Sequence, residues 1–338
     1  NKAGVELVYG EAMLESANRI RVNKEFYEGK NIVIATGSRA ALLPFLDPSN
    51  PDIITSTEIL SEKNPPKKLV IIGGGVIGIE IASIFNLFGS EVEVIEMMDS
   101  IIPNLDKEIS KRLLALLKAQ GIKFHLSARV EAVQGKKVTY SDKNGEMTLN
   151  FDKLLVAVGR KPNIEKLGLD KVGIRYDKSG IIVNENFQTI IPNIYAIGDV
   201  TGKMMLAHSA TYSGYQVLKT LLNEEDRIDF SILPSCVFTF PEVATVGLTE
   251  EECKELNYRV AKYYFKANGK AQTMGETDGF VKMIIVDDLI KGVHILGPHA
   301  SDLIHEAVVL IAKKASIDEL HNFIHAHPTL SEVIGHCD

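Results

Sequence analysis

Three short apolar runs along the chain each close on a glycine: NIVIATG (31–37), KLLVAVG (153–159) and NIYAIGD (193–199). Each predicts a short buried strand whose C-terminal glycine lets something approach the backbone closely, which makes Gly37 and Gly159 candidate contact points. The first two runs follow alternating, hairpin-like stretches, RIRVNKEFYEGK and KKVTYSDKNGEMTLNFDK. That self-similarity predicts two related nucleotide-binding modules, one nested inside the other.

A self-contained pattern lies between those runs. PPKK (65–68) punctuates the chain, and LVIIGGGVIGIEIASIFNLFG then reads as strand, glycine turn and helix. SEVEVIE alternates as a second strand, residues 105–119 carry helical spacing, and GIKFHL reads as a third strand. The spacing predicts a βαβαβ unit with a parallel sheet. After Asn223 the pattern changes. PSCVFTFPEVATVG, YRVAKYYFKA, GFVKMIIVDD and IKGVHILGP read as strands, mostly with hairpin-length connections. Capping boxes (Thr249 with Glu252, Ser316 with Glu319, Thr329 with Glu332) mark three helix starts. Residues 230–338 are therefore expected to form a separate α+β domain.

A chain of 338 residues is too long for one ordinary core and calls for two or three domains. The net charge of −7 gives no electrostatic reason to bind nucleic acid or an anionic membrane. The longest apolar run, from Leu69, is cut by glycines and Glu80, so no transmembrane helix is predicted. The opening NKAGVELVYGEAM lacks a basic start followed by an apolar core, unlike a signal peptide. It begins mid-pattern without a methionine, as expected of a chain cut upstream. Cys236, Cys253 and Cys337 have no CxxC spacing, which argues for a reducing compartment.

Gly73-x-Gly75-x-x-Gly78 follows a predicted strand, opens a predicted helix, and has Glu96 at the end of the next strand. That context is the dinucleotide fingerprint. Gly73 makes the tight turn, Gly75 admits the pyrophosphate, Gly78 lets helix and strand pack, and the helix start supplies N–H groups for phosphates. Glu96 suits a ribose diol and repels a 2′-phosphate, which favours NAD over NADP; the bland alternative is a glycine turn without ligand. Glu80 has two readings, a surface position on a frayed first turn or a carboxylate aimed toward the nicotinamide end. Asp199 reads either as a polyol acceptor or as a turn or N-cap aspartate.

HAHPTLSEVI (325–334) places His327 before Pro328, which favours an extended conformation at that histidine, and Glu332 five residues on. The set is suited to orienting an imidazole for proton transfer. The same glutamate also completes a capping box, which needs no active site. His325 and His327 lack a third ligand, so no metal site is expected.

IVIATGS, IIGGGVIGIE, VAVGRKPN, IYAIGDVTGKMMLAHSA, FTFPEVATVG and HAHPTLSE occur in one order. Together they resemble the flavin-dependent pyridine nucleotide–disulfide oxidoreductases and, within them, the dihydrolipoamide dehydrogenases. The resemblance implies nested Rossmann-like domains, α/β, FAD-type (incomplete) and NAD-type (complete), plus a C-terminal α+β dimerisation domain. Its implied boundaries are 1–65 for an FAD-domain remnant, 66–151 for the NAD domain, 152–229 for the FAD-domain continuation and 230–338 for the interface. It also implies that Gly73, Gly75, Gly78 and Glu96 hold NAD, with Glu80 beside the nicotinamide. Thr36 and Gly37 match a segment under FAD, Asp199 the ribitol acid, and Leu206 and Ala207 backbone near the flavin ring. His327 and Glu332 match the catalytic pair.

The implied reaction is oxidation of dihydrolipoamide through a redox disulfide and FAD to NAD⁺. The implied partners are a second copy in a homodimer and the lipoyl domain of 2-oxo acid dehydrogenase or glycine cleavage complexes, in the cytoplasm or, for a eukaryote, the mitochondrial matrix. Two family features are missing from the sequence: a first, FAD-binding GxGxxG and a CxxxxC pair. HSATYSG also departs from the pattern, with Ser213 where an acidic residue is usual. The expectation is a truncated chain, inactive by itself, with weak or no FAD binding. The alternatives are a non-catalytic NAD-binding and dimerisation module, or an NADH oxidase or peroxidase; HPTLSE weighs against the last. Glu96, HAHPTL and the lack of a paired-cysteine tail disfavour glutathione and mercuric reductases.

Overall fold

Strand Lys68–Ile72 is apolar from Leu69 onward and almost wholly buried, as a strand covered on both faces of a parallel sheet must be. In the computed structural model, which describes residues 4–47 and 49–338, it is the centre of a five-stranded parallel sheet. The order across that sheet is Ile53–Ile54, Lys153–Val156, Lys68–Ile72, Glu91–Ile95, Lys123–His125. Helices Val76–Leu87 and Lys107–Ala119 make the crossovers, so the predicted βαβαβ unit is present. The alternating stretch after it forms an antiparallel meander, Arg129–Gln134, Lys137–Asp142 and Gly145–Asn150.

The chain divides into two compact units, Asn1–Arg39 with Arg160–Phe230, and Ala40–Gly159 with Ser231–Asp338. The crossings thus fall at 39/40 and 159/160 rather than at 65/66 and 151/152. The physical reason is strand pairing: Ile53–Ile54 and Lys153–Val156 hydrogen-bond into the glycine-loop sheet, so neither belongs to the first module. Residues 1–3 and Pro48, inside the segment assigned to the FAD-domain remnant, lie outside the described residues.

The C-terminal segment is also less separate than its composition implies. It forms an antiparallel sheet ordered Ser235–Val237, Glu242–Gly247, Leu289–Gly297, Phe280–Val286, Tyr258–Tyr264, with helix Ala300–Ala312 packed on it. Val237, Val243, Phe280 and Leu296 of this sheet share one core with Ile79, Phe85, Ile109, Leu113 and Leu117 of the two crossover helices. Burial of a common apolar surface therefore joins the two layers. Of the three capping boxes, Ser316 with Glu319 is complete and starts Ile317–His321. Thr249 and Glu252 also bond reciprocally, but ahead of a single 3₁₀ turn, Glu251–Cys253, so Cys253 does not lie on an α-helix.

In the other unit, strands Ala12–Ser16, Arg19–Val22 and Glu25–Glu28 form the first meander. Ile32–Ile34 pairs in parallel with Ile194–Ala196, and helix Ala207–Leu221 follows after the turn at Asp199. Leu14, Ile32, Ile34, Ile181, Ile194 and Val200 are among its core residues. Two of the glycine-ended runs are thus neighbours in this unit, and the third is in the glycine-loop sheet.

Candidate functional site

The three fingerprint glycines serve different physical ends. Gly73 has φ +111°, and a Cβ there would overlap the Ala157 carbonyl at the end of the neighbouring strand. A Cβ on Gly78 would overlap the Gly73 carbonyl oxygen, so Gly78 sets how closely helix Val76–Leu87 approaches its strand. Gly75, the N-cap of that helix, has nothing within 4 Å of where a Cβ would stand. Packing does not require glycine at 75; open space in front of helix amides fits a phosphate-bearing group.

Glu96 lies beside this opening. Its Oε2 accepts from the Gly74 N–H and its Oε1 from the Met98 N–H at 2.7 Å. Each carboxylate oxygen has a second lone pair, so both amides can be kept while a diol is bound. These residues fit a dinucleotide with an unphosphorylated ribose. Glu80 is not on a frayed turn. It lies within helix Val76–Leu87, and its carboxylate accepts the Phe238 N–H at 2.8 Å. Burial pushes its carboxyl above the usual range, partly countered by that backbone donor. Ser83, one turn on, accepts from Phe240 N–H at 3.1 Å, and Gln120 donates to Phe240 O at 2.7 Å. Segment 238–240 is thereby clamped to the glycine-loop helix, a relation that a separation of 158 positions hides from sequence. Gly159, at φ +112°, is likewise open, and its carbonyl accepts the Ala41 N–H at 2.9 Å.

In the first unit, Thr36, Gly37 and Asp199 are held through Asn163, Ser38 and Arg160, none of which stands out by residue type in the sequence. Thr36 Oγ1 donates to Asn163 O at 2.7 Å, and Asn163 N–H donates to Gly37 O at 2.9 Å. Ser38 Oγ donates to Asp199, while Arg160 Nε donates to Ser38 Oγ at 2.7 Å and lies 3.7 Å from Asp199. The signal for Ser38 and Arg160 was present: each directly follows a strand-ending glycine, in ATGSR and AVGRK. Asp199 is the second residue of a 3₁₀ turn, Gly198–Thr201, and its side chain stays partly exposed, held by these two partners. Leu206 is the N-cap of helix Ala207–Leu221, and no side chain caps that helix start. A carboxylate and helix-start amides fit the polyol and ring edge of a flavin nucleotide. Ser213 is buried within that helix and returns its hydroxyl to Ala210 O at 2.8 Å.

His327 and Glu332 meet directly, Nδ1 to Oε1 at 2.9 Å. The other carboxylate oxygen accepts the Thr329 N–H at 2.8 Å, so one glutamate does both tasks that the sequence left in competition. The Thr329 hydroxyl turns instead to Ala326 O, which leaves only half of the expected capping box. The His327–Pro328 peptide bond is cis. Glu332 is 8% exposed, and the Thr329 amide, then the His327 ring, hold its carboxyl below the usual range. An ionised carboxylate only accepts, so Nδ1 carries the hydrogen and Nε2 is left with a lone pair. The imidazole is 77% exposed and thus open to a reacting group.

His325 points elsewhere. Its Nε2 bonds Glu306 at 2.8 Å and its Nδ1 meets Phe323 O at 3.2 Å, so it does not share a ligand with His327. Among the described residues no group of three or more His, Cys, Asp and Glu could hold a metal ion. The three cysteines are free; Cys253 and Cys337 are buried, and burial pushes the Cys337 thiol up to about 12.

A glycine-loop parallel sheet, joined through a common core to an antiparallel sheet that is followed in the chain by a His–Glu pair, defines a dinucleotide-binding protein of the flavoprotein reductase type. The chain belongs to the pyridine nucleotide-disulphide oxidoreductase family: that family's model matches residues 1–214 and its dimerisation-domain model matches 233–337. It is 42% identical to mitochondrial dihydrolipoyl dehydrogenase of Pisum sativum, over 94% of this chain and 66% of that protein. It is 43% identical to dihydrolipoyl dehydrogenase of Bacillus subtilis, over 90% of this chain and 67% of the relative. Among solved structures, the HOCl-induced flavoprotein disulfide reductase RclA of Escherichia coli, in its Cu(II) complex, superposes with a TM-score of 0.90 at 29% identity. That match covers 97% of this chain and 78% of the other. The chain thus spans about two thirds of the length of these two curated relatives. No helix among the described residues is long and apolar enough to cross a membrane.

Proposed function

We propose that this chain supplies the NAD-binding and proton-relay parts of a dihydrolipoyl dehydrogenase. The observation that carries the reading is the His327–Glu332 pair, with Nε2 unpartnered by Glu332 and the ring open to solvent. In the proposed reaction a dithiol becomes a disulfide, NAD⁺ takes the two electrons with one hydrogen as hydride to give NADH, and one proton is released. FAD and NAD supply the hydride chemistry when bound. The work of His327 is to accept a thiol proton at Nε2, since the thiolate is the nucleophile in disulfide exchange. Glu332 fixes the tautomer, stabilises the imidazolium that forms, and prevents the ring from turning away. Gly73, Gly75 and Gly78 shape the pyrophosphate cradle, Glu96 takes the adenine-side ribose, and Glu80 lies toward the nicotinamide end. Thr36, Gly37, Gly159, Asp199, Leu206 and Ala207 are assigned to the cofactor-facing ends of their strands and helix, with Asp199 on the FAD polyol.

No cysteine pair within these 338 residues supplies the redox disulfide of that reaction. The nearest two cysteines, Cys236 and Cys253, are seventeen positions apart (253 − 236), and neither lies on a helix carrying CxxxxC. The chain by itself is therefore proposed to bind NADH without oxidising dihydrolipoamide. Dimerisation through segment 233–337, service to a lipoyl domain, and a cytoplasmic or mitochondrial-matrix location complete the proposal. The test is paired. NADH titration of this chain should show saturable binding, and His327→Gln in a full-length protein should remove most dihydrolipoamide:NAD⁺ activity while leaving NADH binding intact. Full activity in that variant would sink the relay.

A further inference from the structure

One apolar strand carries a charge where its pattern has no place for one: Lys282 in FVKMIIV is 1% exposed, inside a strand whose every residue is buried. Cross-strand registers align it with His294 and Lys262, and His294 in turn with Thr245, so a polar row crosses four strands on one face. The face is turned to the start of helix Lys107–Ala119. Lys282 Nζ donates to Asp106 Oδ1 at 3.0 Å and Oδ2 at 2.9 Å, lies 3.1 Å from Glu108, and also bonds Glu250. Lys262 bonds Glu108 at 2.7 Å. Asp106 is fully buried and is also the N-cap of that helix, accepting from Glu108 N–H and Ile109 N–H.

Asp106 ends the loop that Glu96 begins. Within that loop, Ile102 N–H donates to Gly74 O at 2.8 Å, and Ser110 Oγ donates back to Ile102 O at 3.2 Å. The ribose-side loop is therefore fixed at the glycine turn at one end and, at the other, to a lysine of the C-terminal sheet. A buried ion cluster contributes little net stability against a full apolar replacement, but removing one partner leaves the others as uncompensated buried charges, so each member holds the others in place. We infer that Lys282 is a positioning residue for the dinucleotide site, holding the 96–106 loop in its NAD-competent geometry through Asp106. The inference rests on the NAD reading given above. It makes dinucleotide affinity depend on a residue of the antiparallel sheet, outside the glycine-loop fold.

The test is NADH fluorescence titration of this chain, with thermal melts of the same samples. Lys282→Met should raise the NADH Kd about tenfold, within the usual range of coupling through a packed network. Asp106→Asn keeps the oxygen that caps Glu108 and Ile109 but removes the charge and the second oxygen that accepts from Lys282 and Glu250, so it serves as a second variant with a Kd shift of the same sign. Leu310→Ala, a buried change in the same sheet's helix layer, should lower the melting temperature and leave Kd unchanged. If Lys282→Met and Asp106→Asn melt lower but bind NADH like the unaltered chain, Lys282 is only structural and the inference fails. If the unaltered chain does not bind NADH at all, the NAD reading fails first and takes this inference with it.

Discussion

Glu332 gives one carboxylate oxygen to the ring of His327 and the other to the backbone of Thr329, so the base and its own turn are fixed by the same side chain. Glu332→Gln can keep the Thr329 contact through its amide oxygen. The nitrogen it then presents to Nδ1 is a donor, which forces the hydrogen onto Nε2 and removes the lone pair a thiol proton needs. In a full-length enzyme the expected loss is about 10²-fold or more in kcat for dihydrolipoamide, the range general acid–base groups supply. Ring ¹⁵N spectra of this chain should show His327 changing tautomer. An unchanged tautomer would contradict the assignment.

The glycine loop separates folding from binding at two positions three apart. Gly78→Ala forces a Cβ into the Gly73 carbonyl and is expected to cost about 1–3 kcal/mol, as overpacking does. Gly75→Ala meets open space, so its urea midpoint should stay near that of the unaltered chain while NADH affinity falls at least about tenfold. Equal losses of stability in the two variants would refute the division.

Stability against pH should follow the buried cluster at the start of helix Lys107–Ala119. Burial pushes His294 below its ordinary value of 6.5, and its partners, Thr245 at Nδ1 and Leu248 O at Nε2, fit the neutral ring. For Asp106 and Glu108, burial acts upward, but the lysines more than offset it and hold both below their ordinary 3.8 and 4.5. All three groups bind protons more readily unfolded than folded. Their contribution is thus complete above pH 6.5, starts to fall there through His294, and falls again below 4.5 as each carboxyl passes its lowered value. Melting temperature from pH 8 to 3 should trace those two steps. A curve that rises on acidification would reverse the sign.

Thiol chemistry gives the bluntest check. Cys337 and Cys253 are buried, and burial raises both thiols. Cys236 is half-buried and raised by the same cause. Native chain treated with a maleimide should label slowly and at Cys236 first, with the other two reacting only on unfolding. Rapid labelling of two thiols would revive a redox pair within these residues.

Much of this molecule could be read from the order of its residues. The alternation before 31 and 153 produced two meanders, the 3.6-residue spacing at 105–119 a helix, and the Gly-x-Gly-x-x-Gly context a strand, turn and helix. These are local features, decided by side-chain period and by the conformations glycine alone tolerates. The unit boundaries were less legible, because KLLV and IVI look alike as strings and only pairing assigns Lys153–Val156 to the glycine-loop sheet and Ile32–Ile34 to the other unit.

The HAHPTLSE motif divides the same way. Sequence alone determined that a histidine, a proline and a glutamate stand at spacings able to form an acid–base pair or a cap. Tertiary structure decided that Glu332 serves both roles, that His325 belongs to Glu306, and that Glu80 meets the Phe238 backbone. It also decided that Lys282, an anomaly in an apolar strand, answers to Asp106, 176 positions away. Local pattern selects each element, but a carboxylate's partner is whichever donor the packed chain brings within about 3 Å, and that distance has no counterpart along the sequence.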